Sequence, residues 1–494
     1  MKSLLQYYEE LAEFMGNPVD LQVHYVAHTD VDNPEALLVF LETITDGNLI
    51  HNRLLVPLLE SSNRIHDKDT PFLKRPSVES LWSLGSLIRI SFESITQNLF
   101  EGKCVVLYQG CSRGLAVEAC DWHNRSVTQP ERESSLIGPK DSFIEDIGVN
   151  VSMIRRRIRH HTLRFEEYTL GTTSRTKVMI GYMDGLVNRK ALDMFKQRLK
   201  GIHIDMLLES SQIGALTSGQ RFSPFPMYQL TERPDKATSA IAEGRFIVMT
   251  DTTPTCLILP VTMTCLFEAS DDYYFPSISG SFLRFTRMIG LAITLYLPAL
   301  YIAVTAVNQD MFRIQFMLAV ASSREGVPYP AYIEVIIMLL LIELINEATV
   351  RLPKTIGGTA TIVGGLIIGT AAAQSHLISY IMIVITATTA IGSYTMPNYM
   401  VGLAWRLCCF FLVLLSIPWG LYGIVVGSAM IGLYLSHIDC LGVPYAAPFV
   451  TFHYKDIFRD ALFRAPLSLV KKRPSTYSKE AKGTTRNSSE GGEW

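Results

Sequence analysis

The sequence predicts an α/β cytoplasmic region made of two similar, duplicated subdomains, followed by an all-α polytopic membrane domain and a disordered basic C-terminal tail. Three observations predict it: an uneven spread of charge, two short motifs that recur at nearly one offset, and long apolar runs confined to one stretch. The 494 residues carry 44 Lys and Arg against 46 Asp and Glu. Sixty-five of these charges fall in residues 1–287, ten in 288–435 and fifteen in 436–494, or about 23%, 7% and 25%, where a soluble domain averages about 25%. The expected division is 1–140 and 141–282 for the subdomains, 283–440 for four to six membrane spans, and 441–494 for the tail.

A net charge of −2 excludes a mainly electrostatic nucleic-acid binder. The opening MKSLLQYYEELAEFMG lacks the 7–15-residue apolar core of a secretory signal, so the soluble region is expected in the cytoplasm. Eight cysteines show no CxxC spacing and no Cys/His pairing of the kind zinc needs. They read as reduced packing residues, and no metal, cofactor or catalytic residue is expected.

The duplication rests on two pairs of markers. Asp46-Gly47 follows the apolar run ALLVFLETIT and Asp184-Gly185 follows KVMIGYM, 138 residues apart, each ahead of a helix-like segment. Glu101-Gly102-Lys103 precedes CVVLY, a polar turn and LAVEA; Glu243-Gly244-Arg245 precedes FIVMT, a polar turn and CLILP, 142 residues apart. Both read as hairpins of short β-branched runs. A single α+β domain with repeated turn chemistry is the alternative.

Between the halves lies a basic run of Arg155, Arg156, Arg157, Arg159, His160, His161 and Arg164. Such a cluster suits a phosphate or a lipid headgroup. Val151, Ile154, Ile158 and Leu163 interleave at helical spacing, so a solvated helix face is the preferred reading. There is no GxSxG, no phosphate loop ending in GK[ST] and no HExxH.

The membrane third begins with residues 288–307, twenty without a charge, matching what crosses about 30 Å of hydrocarbon. Arg284 and Arg287 precede it, as the positive-inside rule expects. Residues 311–330 read as interfacial or re-entrant. The second span, 331–349, is interrupted by Glu334, Glu343 and Glu347. Ionised carboxylates at membrane depth normally face a bundle interior or an ion path. Glu343 and Glu347 share a helix face, and Glu334 lies about 180° away. They are candidate ion-path carboxylates, with pairing to Arg351, Arg406 or another subunit as the alternative.

A third span follows the basic turn at 351–354. It carries small residues at every fourth place, Gly357, Thr361, Gly365, Gly369 and Ala373, a stripe that favours close helix packing. A fourth span is expected at 377–396. Residues 407–435 form an uncharged run of 29, broken at Pro418-Trp419-Gly420. At 1.5 Å per residue that is too long for one upright span and short for two, so a broken hairpin or a re-entrant pair is expected. The basic tail belongs on the cytoplasmic side, and its last twenty residues should be disordered.

Five motifs occur in order: TERPDK (231–236), the EGR strand, SREGVPYP (323–330), RLPKTIGGT (351–359) and GVPYAAP (442–448). With FSPFP (222–226) and the stretch from Asp121 to Arg159, they resemble the A subunits of the GerA family of spore-germination receptors. The motif residues are Arg233, Pro234, Arg324, Glu325, Gly326, Pro328, Pro330, Arg351 and Pro353. The resemblance implies a multi-pass, non-enzymatic protein of the endospore inner membrane. It implies as partners a transporter-like B subunit and a lipoprotein C subunit, self-association into a ring-like homo-oligomer, contact with membrane lipid, and none with nucleic acid. It also implies an ion path that opens when nutrient is sensed, mainly on a partner. A non-conducting scaffold or signalling subunit and a secondary transporter are the alternatives. One departure stands out: Thr252 replaces the glycine usual in the turn after the EGR strand.

Overall fold

The computed structural model describes residues 4–26, 34, 36–63, 85–109, 113–120, 133, 137–220, 222–311, 313–351, 370, 374–451, 463, 464 and 477. The chain forms two units, one of Met1–Gly219, Tyr228–Pro260 and Lys472–Trp494, the other of Gln220–Met227 and Val261–Lys471.

The first unit holds two five-stranded antiparallel sheets. The first comprises β1 (Leu21–Val26), β2 (Ala36–Leu41), β3 (Gly85–Arg89), β4 (Lys103–Tyr108) and β5 (Arg113–Glu118), in the order β1-β2-β4-β5-β3. Its helices are α1 (Leu4–Met15), α2 (Gly47–Ile50), which passes through a π-turn into α3 (Val56–Asn63), and α4 (Phe92–Phe100). Strand β2 is apolar throughout because both its faces are covered. Leu37, Val39 and Leu41 pack with Leu11, Met15, Ile95 and Leu99 of α1 and α4. Ala36, Leu38 and Phe40 pack with Ile50, Leu54 and Leu58 on the other side.

The second sheet comprises β6 (Leu163–Leu170), β7 (Thr176–Met183), β8 (Gln229–Thr231), β9 (Phe246–Thr250) and β10 (Cys256–Leu259), in the order β6-β7-β9-β10-β8. Strand for strand this is the order of the first sheet. Its helices are α5 (Ile147–Arg157), α6 (Arg189–Lys200), α7 (Ser210–Thr217) and α8 (Pro234–Ala242). One face packs on α5 and α8 through Val151, Ile154, Ala237 and Ile241. The duplication is therefore a duplication of topology.

The recurring motifs have a physical reason. Gly102 and Gly244 adopt φ of +79° and +95°, the left-handed conformation that ends a helix at low cost only for glycine. The flanking charges then close on each other, Lys103 to Glu101 and Arg245 to Glu243, both at 2.6 Å. The other marker has diverged. Asp46 caps α2 by accepting from the amides of Asn48 and Leu49, whereas Asp184 accepts from Gly185 and Arg189 and Asn188 caps α6.

Thr252 sits at φ +69°, with its amide donating to the Glu145 carbonyl at 2.8 Å. A β-branched residue is strained there by about 1–2 kcal/mol. Thr252→Gly should therefore stabilise this unit by about 0.5–1 kcal/mol after the extra chain entropy of glycine is deducted. A thermal midpoint that falls on this substitution would contradict the reading.

Four members of the basic run, Arg156, Arg157, Arg159 and His160, are exposed, as a solvated face requires; Arg155, His161 and Arg164 are not, and the cause lies outside the run. Arg155 is 1% exposed, and its Nη2 donates to Asp20 Oδ1 at 2.6 Å, in the other half of the unit. Its guanidinium lies over the rings of Phe100 and Phe165, at 5.8 and 5.1 Å. Asp20 also accepts from the Thr43 hydroxyl at 2.7 Å. His161 stacks on Phe14 at 5.0 Å; burial, with His160 and Arg164 beside it, pulls its imidazole below the usual value. Arg164 packs so closely on Gly16 that a Cβ there would collide with its guanidinium. Three members of the run thus tie the two halves together.

Seven cysteines lie among the described residues, and all but Cys120 are buried. Burial pushes the Cys104 and Cys256 thiols far above their ordinary values, so they act as small core residues.

The second unit is helical. After α9 (Met263–Phe267) comes α10 (Ser277–Ile302), which runs on through a π-turn, Ala303–Val307. The continuous Ser277–Val307 segment has 31 residues, about 46 Å at 1.5 Å each. It starts eleven residues before the expected span, so Arg284 and Arg287 lie inside the helix. Both pair with Asp272, which is buried; Arg287 grips it with two 2.6 Å hydrogen bonds and Arg284 Nε lies at 3.3 Å. Next come α11 (Ile314–Ser323), within the stretch expected to be interfacial, and α12 (Ala331–Arg351), which begins where the second span was expected. Helix α13 (Tyr380–Tyr394) has 15 residues, about 22 Å, shorter than the expected fourth span. The third span lies outside the described residues apart from Thr370, and so do its Gly357, Thr361, Gly365, Gly369 and Ala373.

The last helix, α14 (Tyr399–His437), is broken at Gly420, with φ +56° and ψ −131°. Its two arms fold back on each other as a hairpin: a Cβ on Gly423 would lie 2.2 Å from the Leu415 carbonyl, and one on Gly427 would lie 2.5 Å from Leu412. In a straight helix these partners would be about 12 and 22 Å apart along the axis. Asn308 Oδ1 accepts from the Leu421 amide at 3.0 Å, capping the second arm. Among the described residues, two helical stretches are long and apolar enough by length and composition to cross a membrane: Ser277–Val307 and, counted across its break at Gly420, Tyr399–His437.

Candidate functional site

The chemistry of the helical unit gathers on α12. Its nine-residue spacing sends Glu334 and Glu343 to opposite sides, and the structure gives each a separate partner set. Glu334 is 1% exposed. Its Oε1 accepts from the backbone N–H and the hydroxyl of Ser379, both at 2.5 Å. Ser379 in turn caps α13 by accepting from the Met382 amide, so the carboxylate stands at a helix N-terminus, where the dipole favours negative charge. Arg324 Nε lies 3.5 Å from Glu334 Oε2.

The SREGVPYP motif builds this clasp. Arg324 reaches back to the Tyr329 carbonyl at 3.0 Å. Gly326 takes φ +89° with the His376 ring against it. Pro330 starts α12 by accepting from the amides of Ile333 and Glu334. Glu325 and Pro328 are exposed and make no part of the clasp. In the other unit, Arg233 precedes α8, Pro234 opens it, and the Arg233 guanidinium closes on Asp235 with bonds of 3.0 and 2.7 Å.

Glu343 accepts from Arg406 Nε, on the first arm of α14, at 2.6 Å. The same guanidinium lies over the Tyr399 ring at 5.6 Å. One turn further along α12, Asn346 Oδ1 accepts from the Tyr394 hydroxyl of α13 at 2.5 Å. Glu343 and Arg406 line a cavity of about 20 Å³ together with Thr294, Thr389 and Ser393, enough for about one water. Glu347 is exposed and pairs with Arg351 at 2.6 Å, an ordinary i,i+4 surface contact. Pro353 lies outside the described residues.

The three carboxylates are thus not brought to one surface, and each has a cation beside it. Ser379, Asn346 and Tyr394 were not singled out in the sequence. The available signals were local: Asn346 three residues after Glu343 in an apolar helix, and Ser379 immediately ahead of a helix, where serine is a preferred cap.

A family model described as Bacillus/Clostridium GerA spore germination protein matches residues 9–476, and the chain belongs to this family. The chain is similar to the uncharacterized membrane protein YfkQ of Bacillus subtilis (strain 168), 35% identical over 443 residues, covering 90% of this chain and 85% of the relative. Spore germination protein KA of the same organism is 32% identical, with 97% and 88% covered. Spore germination protein GerLA of Bacillus cereus is also 32% identical, with 96% and 95% covered.

Proposed function

We propose that this chain is the A subunit of a nutrient germinant receptor, the membrane component that converts nutrient sensing on a partner into cation release at the start of germination. The observation that carries this reading is the Glu343 group: a carboxylate, its Arg406 partner and three hydroxyl-bearing residues beside a small cavity among mostly apolar helices, in a family of spore germination proteins. Polar groups at that depth are costly unless they serve a path or a partner, and a cation path needs oxygen-lined surface. In this reading the helical unit crosses the endospore inner membrane several times. It assembles as a ring-like homo-oligomer with a transporter-like B subunit and a lipoprotein C subunit, and the soluble unit faces the cytoplasm. Glu334 and Glu347 are weaker path candidates, the first because Ser379 consumes its oxygen and the second because it is exposed.

One observation favours a non-conducting scaffold instead: every one of the three carboxylates has a cation beside it. Nutrient-triggered cation release from spores carrying Glu343→Gln separates the two. The path reading expects release slowed severalfold, or altered cation preference, at protein levels matched by immunoblot. Release that is unchanged would leave Glu343 a structural ion-pair residue.

A further inference from the structure

We infer that the outer face of α7 and of the loop before it is a docking surface for an anionic phospholipid bilayer. This rests on the reading of the helical unit as membrane-crossing, and adds that the soluble unit has a lipid-facing side.

Helix α7 is apolar on two sides. Ile213, Gly214 and Thr217 are buried beneath it, while Leu216 on its outer side is 51% exposed. In the loop before it, Leu207 is buried between Met206 and Leu208, which are 55% and 62% exposed. The row is continuous: the Leu208 amide donates to Gln212 Oε1 at 3.0 Å, and Gln212 and Leu216 are four apart on one helix face. It is also firmly built, because the amides of Thr172 and Thr173, in the β6–β7 turn, donate to the carbonyls of Ile204 and Asp205. A solvated helix puts polar side chains on that face, and exposed apolar groups that line up mark a surface that something covers.

Connectivity and charge say what covers it. Gly219, two residues beyond α7, is the last residue before the chain passes into the helical unit, and the chain returns at Tyr228, whose ring lies against Gly214 of α7. The helix therefore stands at both crossings. Leu216 is four residues from Gln220, at most about 14 Å of extended chain. The excursion 220–227 is held in the helical core by Phe225, which packs on Trp405 and Tyr434 of α14 at 5.3 and 6.3 Å.

Cations surround the row. Arg198 donates to the Thr217 carbonyl at 2.6 Å, which sets a guanidinium at its end, and Lys200 is exposed two residues on. Arg175 and Lys177 flank Thr176, whose hydroxyl donates to the Leu207 carbonyl at 3.2 Å. Against them stand Asp205 and Glu209, which accept from the hydroxyls of Thr172 and Ser211, and Glu167, 3.9 Å from Lys177. The positive excess is slight, so the apolar row supplies most of the attachment and the cations its preference for anionic headgroups. A patch this small would not hold a free protein on a bilayer, but on a tethered unit the contact is intramolecular and weak attachment suffices.

The test is photocrosslinking of the full-length protein in nanodiscs of phosphatidylcholine with phosphatidylglycerol, with p-benzoylphenylalanine at position 208 and the adducts identified by mass spectrometry. Position 208 should give about fivefold more phospholipid adduct than position 87, where Leu87 on β3 of the first sheet is 47% exposed. Leu216→Ser should lower the yield at 208 about threefold. Equal phospholipid adduct at 208 and 87 overturns the inference, as does an adduct with a second copy or another protein in place of lipid. Equal yield in phosphatidylcholine alone overturns the anionic preference. A chain released from membranes without detergent would reject the membrane reading itself, whereas one that needs detergent yet gives no lipid adduct at 208 rejects this inference alone. Lipid adduct at 208, with normal cation release from Glu343→Gln spores, would keep the docking surface and reject the path reading.

Discussion

Asp20→Asn should lower the thermal midpoint of the soluble unit by about 10 °C, because it leaves the Arg155 guanidinium buried and uncompensated. Breaking a buried pair by removing one partner costs about 3–5 kcal/mol, and in a unit of this size each kcal/mol shifts the midpoint by about 2–4 °C. Asp20 is 5% exposed and Arg155 1%, so solvent does little to soften the loss. The measurement is protease protection of the soluble unit in the detergent-solubilised chain during a thermal ramp. Asp46→Asn is the control, since asparagine caps a helix about as well as aspartate. Asp20→Asn combined with Arg155→Met should recover most of the loss, because an apolar replacement of the whole pair removes the stranded charge. A midpoint within 2 °C of the parent for Asp20→Asn alone would mean that Arg155 does not depend on Asp20.

Gly420→Ala should prevent the α14 hairpin from closing. At φ +56° and ψ −131° the backbone occupies a region open essentially to glycine alone, a strain of about 1–3 kcal/mol for any other residue. The new Cβ would also lie 2.1 Å from Asn308 Oδ1 and 2.9 Å from Val307 Cβ. Moving Asn308 aside gives up the cap on the second arm, a further loss of about 1 kcal/mol. Fluorescence-detected gel filtration after detergent extraction should show little monodisperse Gly420→Ala protein. Asn308→Ala, which loses only the cap, should keep most of it, and the double variant should not recover, because the backbone strain remains. Normal yield and profile for Gly420→Ala would rule out the hairpin geometry.

Local features were legible in the sequence. The EG[KR] turns announce themselves because glycine, a flanking ion pair and a β-branched run all act within a few residues of one another. The both-sides burial of β2 shows in ALLVFL, which does not alternate. The break at Pro418-Trp419-Gly420 is visible because the uncharged run is too long for one span. Features set by distant chain were not legible. Arg155 sits among six other basic and imidazole side chains, and nothing near it says that its partner is 135 residues away. Likewise Arg284 and Arg287 read as flanks of a span, since the carboxylate that lets the helix run through them, Asp272, lies in the turn before it. The carboxylates of α12 were found as a set, yet their separate destinations depend on Ser379 and Arg406 in other helices.

The identical strand order of the two sheets carries a lesson about how a duplicated unit stops at two. The contact between the halves is head-to-tail: the second copy presents Arg155, eight residues before its first strand, and the first copy presents Asp20, one residue before its own. A contact of that kind, repeated by like units, extends without limit unless something ends it. Both free ends are blunted. At the place of Arg155 the first copy has Glu13, and at the place of Asp20 the second has Thr162, so neither end offers a charge that would recruit a third copy. The Arg155–Asp20 ion pair thus has no counterpart through which a third copy could be added at either end.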